Sequence, residues 1–227
     1  MIALHRRLAA ESIGTFVLVF AGTGAIVTND LTGAVTHPGI ALTFGLVVLA
    51  LVYALGDVSG AHLNPAVSLG FVTAGRFPAR ELLPYAAAQT VGAVAASLLL
   101  LGLFPDAATL GATAPRGAAH QSFVLEAVLS WFLMLVVLCV STGSREKGIT
   151  AGIAVGAVIA LEAMFAGPIC GASMNPARSL APAVVSGRLD HLWVYLTAPV
   201  LGALLAVPTF AVIRPLESTE PVPEEKK

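Results

Sequence analysis

The chain has 227 residues, of which 57% are hydrophobic and only 11% are charged, and its mean hydropathy is +0.88. This composition is far from that of a water-soluble domain and predicts a membrane protein, with the lipid bilayer as its main partner. The formal net charge is −1 and no block of basic residues occurs, which excludes the electrostatic footprint that nucleic-acid binding requires.

Six apolar segments approach the roughly 20 helical residues that cross a hydrocarbon core of about 30 Å. The first follows the basic sequence His5-Arg6-Arg7 and carries Glu11; its length predicts an uncleaved membrane helix rather than a signal peptide. Two further apolar runs are about half as long. The full segments are 8–28, 39–56, 82–103, 121–141, 149–167 and 191–213, and the short ones are 65–74 and 176–185.

The second part of the chain repeats the first at an offset near 110 residues: AAESIGTFVLVF at 9–20 resembles VLEAVLSWFLMLV at 124–136, and PYAAAQTVGAVAA at 84–96 resembles VYLTAPVLGALLA at 194–206. Each unit contains three crossings, an odd number, so the second unit lies inverted in the membrane. We expect one repeat at 1–115, a second at 116–214, and a disordered polar tail at 215–227.

The distribution of basic residues predicts the orientation of the chain. Cytoplasmic loops carry an excess of lysine and arginine, and placing both termini in the cytoplasm puts nine of the basic residues there and three elsewhere. The nine are Arg6, Arg7, Arg76, Arg80, Arg145, Lys147, Arg214, Lys226 and Lys227, and the three are Arg116, Arg178 and Arg188.

Both short runs begin with the same triplet, Asn64-Pro65-Ala66 and Asn175-Pro176-Ala177. A half-length helix cannot span the bilayer, so both segments must dip into it where they face protein or water. Asparagine suits the cap of a helix and proline its first turn. Two helix N-termini that meet at the midplane disfavour cations, while the asparagine amides donate hydrogen bonds to a neutral solute.

The motifs AHLNPAVSLG and GASMNPARSLAPA, on six helices with this duplication, resemble the aquaporin or major intrinsic protein family over nearly the whole chain. The resemblance implies an all-α membrane protein of six transmembrane helices and two re-entrant half-helices in an inverted three-helix repeat. It also implies one pore per subunit and a homotetramer. Cys139 and Cys170 lie in apolar surroundings without Cys-x-x-Cys or Cys/His spacing, which predicts no metal site, and we expect no cofactor.

The same resemblance implies a selectivity filter of Phe44, Ala163, Ala172 and Arg178. An arginine at membrane depth is costly unless it faces water or partners, which makes Arg178 a functional candidate. The resemblance also implies that strict water channels of the family have Phe, His, a small residue and Arg at these four positions. Alanine at both middle places predicts a wider opening that passes metalloid acids such as arsenous or boric acid, glycerol, urea and water, and excludes protons and ions. This pattern resembles the nodulin-like branch and its bacterial relatives.

Alternatives follow from the same residues. A strict water channel is one, and a coupled secondary transporter, which shares inverted repeats and broken helices, is another; enzyme motifs are absent from the spans.

We expect Glu11 and Glu126 to hold the loops before the half-helices rather than to relay protons, and Glu162 to support a loop. His62 is expected to brace its loop, with a pH gate as the alternative. The short loops resemble prokaryotic members and predict the bacterial cytoplasmic membrane.

Overall fold

The computed structural model describes residues 2–141 and 145–214, with the backbone alone at 145–149. Within these residues the chain forms eight α-helices, of which six are long and apolar enough to cross a membrane. The disorder predicted for 215–227 falls outside the described residues. The helices are α1 (Leu4–Thr32), α2 (Thr36–Ser59), α3 (Pro65–Thr73), α4 (Ala79–Leu103), α5 (Ala119–Val140), α6 (Arg145–Cys170), α7 (Pro176–Ser186) and α8 (Leu192–Ile213).

All eight predicted segments are present, and the predicted all-α membrane fold is confirmed. The main difference is length, because most of the long helices extend beyond their apolar runs. The run at 8–28 lies within a helix that spans Leu4–Thr32 and ends at Gly33. Hydropathy marks the part of a helix that lies in hydrocarbon, whereas backbone hydrogen bonding continues into the polar turns at both ends.

The long helices pack in two similar groups. In the first group α1 packs on α4 and α2, and in the second α5 packs on α8 and α6, while α2 and α6 join the groups. Glycine permits the closest approaches: a methyl on Gly92 would overlap the Ser12 carbonyl of α1, and one on Gly202 would overlap the Ala127 carbonyl of α5. Small residues at such crossings let membrane helices pack closely.

Each half-helix packs against long helices of both groups. Helix α3 packs on both α8 and α4, helix α7 packs on both α4 and α8, and the two half-helices contact each other. Each begins with proline at its first turn, behind an asparagine cap. The two N-termini therefore meet in the interior of the bundle.

A proline in α6 leaves one backbone carbonyl free close to the predicted filter. Pro168 has no N–H to donate to the carbonyl of Met164, four residues earlier. The Nε2 atom of His37 lies 2.7 Å from that oxygen and donates the missing hydrogen bond. The bond ties the start of α2 to the end of α6, one residue from Ala163.

Candidate pore

Two loops of matching conformation lead into the half-helices. Gly60 and Gly171 have φ of 90° and 88°, and Leu63 and Met174 have φ of 52° and 54°. Positive φ is costly for leucine and methionine, so the surroundings must hold each loop in place. Tyrosine hydroxyls hold the loop entrances: Tyr85 donates to the carbonyl of Ser59 and Tyr195 to that of Cys170.

The first loop is bound to the buried carboxylate of Glu11. Its Oε1 accepts hydrogen bonds from the His62 N–H at 2.9 Å and the Ser59 hydroxyl at 2.7 Å. Its Oε2 accepts from the Leu63 N–H at 2.7 Å and from Gln89 Nε2 at 2.8 Å. These four donors supply the hydrogen bonds that a buried carboxylate requires.

The second loop repeats this arrangement at Glu126, which is also fully buried. The Ser173 N–H donates to Oε1 at 2.7 Å, and the Met174 N–H donates to Oε2 at 2.8 Å. Cys170 stands where the first loop has Ser59, but its thiol donates to the Ala166 carbonyl at 3.5 Å, whereas the Ser59 hydroxyl donates to Glu11. Both carboxylates thus bond the two backbone N–H groups that directly precede an asparagine of the triplets.

The two asparagines at the centre bond to each other's loops. Asn64 caps its own helix by accepting from the Ala66 N–H, and its Nδ2 donates to the Met174 carbonyl at 2.7 Å. Asn175 accepts from the Ala177 N–H, and its Nδ2 donates to the Leu63 carbonyl at 2.8 Å. Since a side-chain amide has two N–H donors, each asparagine keeps one N–H for a solute.

One cavity of about 130 Å³ runs past both asparagines and is lined by Phe44, Ala163, Ala172 and Arg178. Along α2 its lining extends from Phe44 to Gly60, a distance of about 24 Å at 1.5 Å per residue. Pro65, Ala66, Pro176 and Ala177 hold the first turns of the half-helices behind this lining. Within the described part of the chain, Arg178 is the only arginine, lysine or carboxylate residue on the wall.

The structure brings the four predicted filter residues to this one cavity. Arg178 is 2% exposed and its Nη1 donates to the Gly111 carbonyl at 2.9 Å. Its guanidinium carbon lies 5.0 Å from the centre of the Phe44 ring. Ala163 and Ala172 add only methyl groups, so the lining of the cavity combines an aromatic ring, two small apolar side chains and a cation with spare donors.

His62 lies in a box of aromatic rings at the other end of the cavity. Its ring centre is 4.7 Å from that of Phe71, 4.8 Å from Phe77 and 5.3 Å from Tyr85. Its Nδ1 is 3.0 Å from the Ser68 hydroxyl. Burial, and then the positive charge of Arg7, lower the pKa of His62 to about 3, so the imidazole is neutral near pH 7.

The loop support predicted for Glu162 is wrong. Its side chain is fully buried, and neither carboxyl oxygen has a hydrogen-bond partner among the described residues. It does not line the cavity; it points away from the lumen, as expected for the neighbour of Ala163.

Several residues that shape the site were not identified from the sequence. Gly111 provides the carbonyl for Arg178 and has φ of 72°. Gln89 bonds both Glu11 and the Ser68 hydroxyl, and Gly22 makes room for the ring of Phe44. A glycine in a loop or a glutamine in an apolar helix can indicate such a role, but neither identifies its partner.

Comparisons with known proteins agree with this geometry. The family model described as major intrinsic protein matches residues 1–210. Aquaporin NIP1-4 of Oryza sativa subsp. japonica is 50% identical over 208 residues, which cover 91% of this chain and 76% of the relative. Aquaporin NIP6-1 of Arabidopsis thaliana is 41% identical over 227 residues, with 100% and 74% covered.

A solved structure has the same fold. The X-ray structure of the aquaglyceroporin from Plasmodium falciparum superposes with a TM-score of 0.84 at 27% identity, covering 92% of this chain and 96% of that one. The resemblance to nodulin-like relatives that the motifs indicate is confirmed.

Proposed function

The chain belongs to the major intrinsic protein family, and from this premise we propose which solutes its channel selects. It is a multi-pass membrane channel for small neutral solutes and water. The proposal is that metalloid acids such as arsenous or boric acid, glycerol and urea pass together with water, while protons and ions are excluded.

The composition of the filter carries this proposal. Phe44, Ala163, Ala172 and Arg178 line one cavity, and two of the four contribute only a methyl group. Hydroxyl groups of a solute can accept hydrogen bonds from the guanidinium while the rest of the solute faces methyl groups and a ring. A polyol or a metalloid acid has this combination of a small size, several hydroxyls and no charge.

The central bonds support the exclusion of cations. Asn64 and Asn175 cap two helices whose N-termini point at the same place, and each such terminus carries roughly half a positive charge. Arg178 adds a full charge to the wall, and the described lining contains no carboxylate. A coupled transporter generally needs a titrating or ion-binding group at the midplane, so the lining favours passive flow.

Size selection is tested with purified protein in liposomes. Light scattering after osmotic challenge measures the permeability to water, glycerol, boric acid and urea, and arsenous acid uptake is measured by elemental analysis. Ala163→His should lower the permeability to glycerol by about tenfold or more, since one extra group in a tight site is worth 1–3 kcal/mol, while water flow persists. Ala163→Ser, which adds little volume, is the matched control.

Other outcomes would select the alternatives. Rapid water flow with the larger solutes excluded from the unmodified protein would contradict the wide filter and indicate a strict water channel. Saturable flux that requires an ion gradient would indicate a coupled transporter. Flux that rises linearly with solute concentration supports the channel.

The remaining assignments rest on the family and on charge. We assign a homotetramer with one pore per subunit, the repeat boundary near residue 115, loop support by Glu11, Glu126 and His62, and cytoplasmic termini. Arg6 and Arg7 at the start of α1 fit that orientation. The relatives reported above are plant proteins, so they do not support the bacterial cytoplasmic membrane that the short loops predicted.

A further inference from the structure

Gly22 of helix α1 lies against the ring of Phe44, one of the residues of the proposed filter. A methyl group added to Gly22 would overlap the ring of Phe44, whose Cε1, Cζ and Cδ1 are its three nearest atoms. Gly22 is buried within a regular helix, where alanine would be more favourable by about 1 kcal/mol. The residue is therefore explained by the space that the ring needs, since a helical backbone does not require glycine.

The ring of Phe44 is in contact with the pore as well as with α1. It lines the cavity, and the guanidinium carbon of Arg178 lies 5.0 Å from its centre. A ring pushed away from α1 would move towards the lumen and the guanidinium. The space at Gly22 thus controls how far Phe44 extends into the filter.

Thr23, the next residue of α1, lies against the loop that holds Arg178, the other large side chain of the proposed filter. A methyl on Gly111 would lie 2.8 Å from the Thr23 Cβ and 3.1 Å from its Cα, so this loop lies directly against α1. The Gly111 carbonyl accepts the hydrogen bond from Arg178. Two consecutive residues of α1 therefore support both Phe44 and Arg178 from behind.

We propose that Gly22, which is not among the described residues lining the cavity, sets the largest solute that the channel admits by fixing the position of the Phe44 ring. This inference rests on the proposed filter and adds a specificity-determining residue outside the pore wall. It concerns neutral solutes of the size of glycerol or boric acid, for which a small displacement of one ring decides passage.

The test compares two glycine variants of the same helix. In liposomes, Gly22→Ala should lower the glycerol-to-water permeability ratio by about tenfold, the effect of one methylene-sized change in a tight site, with water flow retained. Gly24→Ala is the matched control because its added methyl would meet only the Leu100 Cδ2 atom, at 3.4 Å. An unchanged or raised ratio in Gly22→Ala would overturn the proposal, as would an equal fall in both variants.

Removing the ring shows whether Gly22 acts through it. Phe44→Ala should raise the glycerol-to-water ratio, and Gly22→Ala added to that variant should change nothing further, because the new methyl occupies space that the ring has left. A lower ratio in the double variant than in Phe44→Ala would overturn the inference. This comparison remains informative if Gly22→Ala alone does not fold, since the double variant relieves the overlap.

The two proposals fail in different ways. If Phe44→Ala leaves the glycerol-to-water ratio unchanged, the filter assignment is wrong, and the role of Gly22 falls with it. If Phe44→Ala changes the ratio and Gly22→Ala does not, the filter stands and only the role of Gly22 is wrong.

Discussion

The loop before α3 and the loop before α7 share one backbone design and differ in a few side chains. Both begin at a glycine with φ near 90°, both are bonded by a buried glutamate through two N–H groups, and both end in a capping asparagine. Three residues after the asparagine, however, the first half-helix has Val67 and the second has Arg178. The two loops thus share one frame, and the arginine of the proposed filter follows only the second of them.

The side chains around the two loops differ as well. The first loop has His62 in an aromatic box, where the second has Ser173, which bonds the Ser179 hydroxyl. Glu11 receives two side-chain donors, from Ser59 and Gln89, in addition to its backbone donors. The first loop is thus more strongly bonded, and the second, through Ala172, contributes to the proposed filter.

The largest effect is expected when Arg178 of the second half-helix is replaced by valine, the residue at the matching position of the first. Arg178→Val removes a full positive charge from the wall. Its repulsion of a cation about 4 Å away is worth about 4 kcal/mol at an effective dielectric constant of about 20, so ion or proton leakage should rise about a thousandfold. Proteoliposomes with an internal pH-sensitive dye and an imposed gradient measure it. Val67→Ala in the first half-helix is the control. Leakage in Arg178→Val equal to that of the unmodified protein would contradict the role of the charge.

The second effect concerns the two glutamates. In Glu11→Gln one carboxylate oxygen becomes an amide NH₂ that faces two donors. In Glu126→Gln the new NH₂ faces a single backbone donor. We expect Glu11→Gln to lower the free energy of unfolding by about 3 kcal/mol or more and Glu126→Gln by less, since bonds to charged groups contribute about 1.5–3 kcal/mol each.

Thermal unfolding in detergent ranks the two glutamate variants. Asp57→Asn, which removes a charge from an exposed side chain near the first loop, is the control for lost charge alone. A larger loss at Glu126 than at Glu11 would show that side-chain donors do not make the first loop the more strongly bonded of the two.

The smallest effect concerns pH and the histidine of the first loop. Since the pKa of His62 falls from 6.5 to about 3, the folded chain stays unprotonated there while the unfolded chain binds a proton below pH 6.5. Between pH 6.5 and pH 5 stability should therefore decrease by at most about 2 kcal/mol, at about 1.4 kcal/mol per pH unit, and His62→Gln should remove this component.

Water flow provides the second readout for His62. It should stay constant between pH 5 and pH 8, because the imidazole does not change charge in this range. A flux transition in that interval that disappears in His62→Gln would instead establish the pH gate.

Much of the fold could be predicted from the sequence because its signals are local. Apolar runs of membrane length, the Asn-Pro caps at Asn64 and Asn175, and the offset of the repeats each involve neighbouring residues or a comparison of the chain with itself. That Glu162 would be buried without a hydrogen-bond partner among the described residues could not be predicted. Whether a side chain on a membrane helix faces a loop, the lumen or another helix depends on how the helices pack, and apolar helices carry little periodicity to indicate it.

The sequence by itself determined the eight helices and the two converging half-helices, since these follow from hydropathy, capping and the repeated motif. The residue types of the filter were implied by the resemblance to the family. Only the tertiary structure decided the positions of the filter side chains. The ring of Phe44 is placed by Gly22 of another helix, and Arg178 is held by a carbonyl 67 residues away in sequence. Such contacts arise when distant segments pack together, and no local pattern of residues specifies them.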